Sequence, residues 1–136
     1  MENIIIRLRA QGHRLTPQRM AVLKTLIGNK EHLSVDQIHQ RVKVDCPMTS
    51  LATIYKTVAV LKEMGEIREI GFSDGSNRYD GSSSDPHPHL ICTRCKSIID
   101  VDLDGLGNLP QEIAQRTGYQ IKSYRFDFFG VCPQCQ

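Results

Sequence analysis

Four of the chain's five cysteines fall into two C-x2-C pairs, Cys92 with Cys95 and Cys132 with Cys135, and 36 residues lie between the pairs. No other feature constrains the fold as strongly. A C-x2-C turn lets two thiolates grip one ion, and two such turns complete a tetrahedron with no position left for water, which is the pattern of a closed structural Zn(II) site. In a reducing compartment disulfides do not persist, and paired C-x2-C motifs there read as metal sites. A redox dithiol of the thioredoxin kind should follow a strand and open a helix; here a second strand pattern follows Cys95. The remaining thiol, Cys46, reads as a small, buried apolar residue.

The chain has 136 residues, 40% hydrophobic and 24% charged, which excludes disorder as its dominant character. No apolar run approaches the roughly 20 residues needed to cross a bilayer. Ile4, Ile5 and Ile6 are too few for a signal-peptide core and precede Arg7 and Arg9, the wrong polarity, so a cytoplasmic protein with no membrane partner is expected. Helical spacing predicts four helices in the first part. One covers residues 4–11. A second opens at Thr16-Pro17 with Met20, Leu23, Leu26 and Ile27 inward. A third opens on a capping box at Ser34 and Gln37, with Val35, Ile38 and Val42 inward. A fourth is capped by Thr49 or Ser50 and carries a Leu51, Ile54, Val58, Leu61 stripe up to Gly65. Alternation at residues 67–72, a turn at residues 73–76 and a return at residues 77–80 predict a hairpin. Helices followed by a hairpin describe a winged helix-turn-helix over residues 1–80.

The run Gly81-Ser82-Ser83-Ser84-Asp85-Pro86 breaks the composition, and residues 81–88 are expected to be a hinge. Residues 89–136 then form a small α+β domain: strands at 90–91 and 97–103, a helix over 106–117, and a last strand with Tyr124, Phe126 and Phe128 on one face. About 50 residues make a thin core, and a structural zinc adds on the order of 10 kcal/mol to such a fold.

In the run Asp85-Pro86-His87-Pro88-His89, just before Cys92, the two histidines lie two residues apart in an extended stretch, so both side chains can reach one ion. Asp80 precedes them and Asp100 follows on the next strand. Histidine and carboxylate ligands together suit Fe(II), Mn(II) or Zn(II). His13, His32 and His39 receive no role from spacing; His39 is expected on the exposed face of its helix.

Residues 1–80 carry net charge +3 and residues 81–136 carry −1, a bias that permits a nucleic-acid partner without requiring one. On the fourth helix the apolar stripe leaves Ser50, Ala52, Thr53, Tyr55, Lys56 and Thr57 outward, a set suited to base edges and phosphates. A plain solvated helix face explains the same residues equally well. Arg68 and Arg78 on the hairpin, and Arg14 and Arg19 near the second helix, are further candidates for DNA contact.

Four segments together resemble the ferric uptake regulator (Fur) family over nearly the whole chain: Arg14-Leu15-Thr16-Pro17-Gln18-Arg19, Ser50 through Val58, His87 through Cys95, and Gly130-Val131-Cys132-Pro133-Gln134-Cys135. The resemblance implies a homodimeric, metal-dependent repressor that binds a palindromic double-stranded operator. Its N-terminal domain would bind DNA and its C-terminal domain would dimerise. It also implies that His32, Asp80, His87, His89 and Asp100 hold a regulatory Fe(II) or Mn(II), which is the only ground for His32. Asp100 stands where peroxide-sensing members carry Asp and iron sensors usually carry Glu, and Pro86 and Pro88 stand where many iron sensors have additional His and Asp residues. Both point to the peroxide-responsive branch, in which iron-catalysed oxidation of a ligand histidine, here His32 or His87, releases DNA. The alternatives are an iron-responsive repressor with reversible Fe(II) binding, and a zinc uptake regulator, whose sensing site would need a thiolate that only Cys46 could supply. No nucleophile-and-base constellation or small-substrate pocket signature marks an enzyme. A zinc-dependent protein-interaction module would lack metal-dependent DNA binding.

Overall fold

The computed structural model describes residues 1–72, 76–81 and 87–136. The expected turn at residues 73–75 and residues 82–86 of the expected hinge lie outside the described residues. The chain forms two compact units, Met1–Ser84 and Asp85–Gln136. No helix is long and apolar enough to cross a membrane among the described residues.

The first unit contains helices α1 (Glu2–Ala10), α2 (Pro17–Leu26), α3 (Val35–Asp45) and α4 (Leu51–Glu63), then strands β1 (Arg68–Ile70) and β2 (Arg78–Asp80). The helix starts follow the capping chemistry of the sequence. Thr16 accepts the Arg19 N–H with Pro17 at the first helical position, and Ser34 and Gln37 close a reciprocal capping box. Ser50, not Thr49, caps α4 by accepting the Thr53 N–H. Val22, Leu23, Leu26, Ile38, Val42, Ile54, Val58 and Leu61 from α2, α3 and α4 share one core with Ile67 and Tyr79 of the hairpin region. β1 and β2 pair antiparallel, with Glu69 opposite Tyr79. Glu69 accepts from Asn77 and Tyr79 and pairs with Lys62 of α4, which fixes the hairpin against that helix. The Lys62 ammonium holds the Glu69 carboxyl below the usual carboxylate range.

Three expectations for this unit are corrected. Leu51 is 37% exposed and outside the core, because the first turn of α4 extends past it. Thr57 is 3% exposed rather than outward; its hydroxyl donates to the Thr53 carbonyl, so the side chain enters the core with its polar atom satisfied. His39 is half-buried rather than exposed, its Nε2 lying 2.7 Å from the Thr49 carbonyl oxygen. Cys46 packs against the core as a partly buried side chain, near to its expected place.

The second unit contains β3 (Pro88–Cys92), β4 (Ile98–Asp100), a 3-10 turn at Leu106–Asn108, α5 (Leu109–Thr117) and β5 (Phe126–Gly130). The strand expected over residues 97–103 is only three residues long, and the helix expected over 106–117 opens as the 3-10 turn. The sheet order is β4-β3-β5, with β3 antiparallel to β4 and parallel to β5. Of its Leu, Ile, Val, Phe and Tyr side chains, Ile91 alone is buried among the described residues, while Ile99, Ile113, Phe128 and Phe129 are exposed. The whole is α+β, as expected.

Candidate metal centres

In the second unit, β3 delivers Cys92 to one turn and β5 delivers Cys132 to another. The parallel pairing of the two strands brings the two turns together, with Thr93 donating to the Gly130 carbonyl at 2.8 Å. Arg94 donates to the Cys135 carbonyl at 2.6 Å and ties the turns again. The four sulfurs lie within 4.8 Å of one another. Cys95 and Cys132 Sγ are 3.7 Å apart, near the edge of about 3.8 Å that a tetrahedron with Zn–S bonds of about 2.3 Å requires.

Electrostatics in this cluster divides the thiols. The backbone N–H groups of Cys132 and Cys95 point at Cys92 Sγ from 3.4 and 3.5 Å and hold that thiol down to about 6. Contact with Ser97 draws Cys95 down as well. The neighbouring sulfurs of Cys132 and Cys95 push Cys135 up to about 12. A set with two acidic thiols beside one that resists further negative charge ionises fully only around a cation. The donor set fits Zn(II), which softness also favours.

His87, His89 and Asp100 form a second group within this unit, a ligand atom from each lying within 4.8 Å of the others. The cause is strand register. His89 on the central strand stands opposite Asp100 of β4. Asp100 Oδ1 lies 3.3 Å from His87 Nε2 and 3.4 Å from His89 Nε2, so both rings turn the same nitrogen to one oxygen. Two imidazole nitrogens and a carboxylate oxygen fit a borderline or hard divalent ion, Fe(II) or Mn(II) among them. The thiol of Cys46, which a zinc-sensing site would need, lies in the other unit and packs against its core.

The first unit holds His32 and Asp80. His32 precedes Leu33, which bridges to Tyr79 of β2, so the loop before α3 lies along the strand that ends in Asp80. His32 Nε2 lies 3.8 Å from Asp80 Oδ2, and the Asp80 side chain is wholly buried. A carboxylate in such a place needs positive charge or hydrogen-bond donors about it. Gly81 follows, buried, its carbonyl accepting the Gly28 N–H at 2.9 Å.

The DNA-contact candidates all belong to the first unit. Tyr55 and Lys56 are exposed on α4, and Thr53 is half-buried with its hydroxyl 3.0 Å from that of Ser50. Arg14 is exposed, and its carbonyl accepts from the Arg19 guanidinium at 2.8 Å. Arg68 and Arg78 are half-buried on the hairpin. Arg78 turns inward in part, donating to Gln37 at 3.2 Å and to the His32 carbonyl at 3.4 Å.

Sequence reasoning missed Asp127 and Arg125. Asp127 stands opposite His89 on β5, its Oδ1 lying 3.4 Å from His89 Nδ1, and Arg125 pairs with it at 2.8 Å. Alternation along the last strand put both residues on one face, but nothing local said which strand that face would meet.

The ferric uptake regulator family model matches residues 10–129. The peroxide-responsive repressor PerR of Staphylococcus saprophyticus is 37% identical over 136 residues, spanning 100% of this chain and 91% of its own. PerR of Staphylococcus aureus is 35% identical over the same spans. Among solved structures, the Campylobacter jejuni peroxide stress regulator has a TM-score of 0.75 at 26% identity, covering 99% of this chain and 98% of its own. The Helicobacter pylori ferric uptake regulator has a TM-score of 0.84 at 23% identity, covering 98% of this chain and 89% of its own, and shares the fold.

Proposed function

Since the chain belongs to the ferric uptake regulator family of metal-responsive transcriptional repressors, we propose that it holds its operator with Fe(II) or Mn(II) bound and releases it when hydrogen peroxide oxidises a ligand histidine. The observation that carries this reading is the convergence of His87 Nε2 and His89 Nε2 on Asp100 Oδ1, a nitrogen-and-oxygen set free of thiolate. The likeness to peroxide-responsive repressors over the full chain supports the same branch.

In this proposal His87, His89 and Asp100 are joined by His32 and Asp80, because the two groups offer three and two ligand residues apart and five together, closer to the full shell that Fe(II) and Mn(II) accept. Ligands drawn from both units make the ion favour one arrangement of the dimer, and its differential affinity shifts the population toward that arrangement. Residues 1–80 read DNA, residues 81–88 serve as the hinge, and residues 89–136 join two copies into a homodimer. The exposed Ile99, Ile113, Phe128 and Phe129 support that last role, because a unit with so little buried apolar surface gains from a second copy. A homodimer matches a palindromic operator by symmetry. On α4, Ser50, Thr53, Tyr55 and Lys56 face the major groove, with the helix N-terminus toward a phosphate. Arg14, Arg19, Arg68 and Arg78 serve the backbone. Cys92, Cys95, Cys132 and Cys135 hold the structural Zn(II).

Fe(II) held by these residues would supply the redox chemistry that activates hydrogen peroxide, with no net change in the iron, whereas Mn(II) would not. The net exchange would be at a ring carbon of His32 or His87, C–H becoming C–OH; the ring gives up two electrons to the peroxide, one peroxide oxygen stays on the ring and the other leaves as water. The altered ring is a poorer donor, the two units lose their common ion, and the operator is released.

His89→Ala tests the metal reading. It should abolish Mn(II)-dependent operator binding in a mobility-shift assay while zinc content and the dimer stay intact. Retained metal dependence, or loss of zinc, would contradict the assignment.

A further inference from the structure

His89 occupies an unusual place: the central strand of the sheet puts an aspartate directly across from it on both sides, Asp100 on the antiparallel neighbour and Asp127 on the parallel one. The two carboxylates meet different nitrogens. Asp100 Oδ1 lies 3.4 Å from Nε2, and Asp127 Oδ1 lies 3.4 Å from Nδ1. The His89 side chain is 5% exposed and that of Asp127 16%, so the pair is largely withdrawn from water. Arg125, two residues earlier on the same face, pairs with the other oxygen of Asp127 at 2.8 Å and fixes the carboxylate in turn.

We infer that Asp127 is the positioning residue of the regulatory site: it accepts the proton of His89 Nδ1, holds the ring in the tautomer whose Nε2 lone pair is open, and aims that nitrogen at the ion. The inference rests on the reading of His87, His89 and Asp100 as ligands. A ligand imidazole needs one unprotonated nitrogen for the ion, and a carboxylate on the other nitrogen fixes tautomer and orientation together. Asp127 suits this role and not that of a ligand. It meets His89 from the Nδ1 side, whereas the Nε2 atoms of both histidines turn to Asp100. Arg125 offsets part of the charge of Asp127, so the carboxylate orients the ring without drawing the ion to itself.

The test uses the full chain with its zinc, titrated with Mn(II) and read by the electron paramagnetic resonance of the free ion. Asp127→Leu should weaken Mn(II) binding by about 10- to 100-fold, the usual cost of losing such a partner. Zinc content and the unfolding transition should not move. Asp127→Asn, whose amide oxygen still accepts the ring proton, should recover binding to within a few-fold of the unaltered protein. Ring-nitrogen chemical shifts of the unaltered, Mn-free chain should place the proton of the neutral His89 ring on Nδ1, a readout that a purely structural role would not move. A proton on Nε2 overturns the inference even if Asp127→Leu fails to fold. So does wild-type Mn(II) affinity in Asp127→Leu, or a loss in Asp127→Leu that Asp127→Asn fails to recover. An unaltered chain that binds Mn(II) no better than His89→Ala would remove the metal reading itself, a separate failure.

Discussion

A methyl group on Gly81 would meet the Leu26 carbonyl oxygen far inside van der Waals contact, and backbone cannot yield as a side-chain tip can. Gly81 sits next to Asp80 and takes the Gly28 N–H, so the end of α2, the buried carboxylate and the start of the expected hinge depend on one small residue. Gly81→Ala should cost about 1–3 kcal/mol of stability in thermal unfolding, the usual scale for forced overpacking; an unchanged transition would show that the close approach is not needed. Single residues differ in how legible they are. The four cysteines and the His87, His89 pair announce themselves, because few residue types bind metals and their spacing within a turn or a strand is short. Asp127 does not. Its partner lies 38 positions away in the chain, and only the register of β3 against β5 makes them neighbours. Arg78 is a mixed case: its charge suggested DNA, but a sequence does not say that one of its nitrogens is engaged by the His32 carbonyl and Gln37.

The turn between α3 and α4 is held from outside itself. His39 Nε2 reaches the Thr49 carbonyl, while the Thr49 backbone N–H and hydroxyl both donate to the Cys46 carbonyl. That turn sets where α4 begins, and α4 carries Ser50, Thr53, Tyr55 and Lys56. His39→Ala should therefore weaken operator binding several-fold in a mobility-shift assay with Mn(II) affinity unchanged. His39→Gln, whose amide can donate to the same carbonyl, should restore most of it. Equal binding by all three proteins would show that the turn holds its shape alone. Helix existence and capping were readable because Thr16, Ser34 and Ser50 each act on an N–H group three residues away. The phase of α4 was less so. A three-and-four spacing fits Leu51, Ile54, Val58 and Leu61, yet the core takes Thr57 and leaves Leu51 outside, because the core ends before the first turn and Thr57 can satisfy its hydroxyl on Thr53. The strand over residues 98–100 came out shorter than expected, although one further backbone bond, from the Val101 N–H to the Pro88 carbonyl at 2.9 Å, lies just beyond it.

The molecule combines a first unit that holds itself together by an apolar core with a second that does not. Unit 85–136 buries little apolar surface, and its first and last strands converge on four thiols. Cys132→Ser should abolish its cooperative unfolding and release zinc, as removal of one ligand from a structural site does; a variant that kept both would show the zinc to be dispensable. The composition break at Gly81 and the cysteine spacing suggested two parts, but whether the ligands of both parts serve one ion is a property of the metal-loaded protein. Peroxide sensing is tested by operator binding of the Fe(II) and Mn(II) forms before and after brief hydrogen peroxide, with peptide mass spectrometry on the same samples. The iron form alone should lose DNA and gain one oxygen on His32 or His87. An iron form that keeps its operator with no histidine modified would contradict it and favour reversible iron sensing.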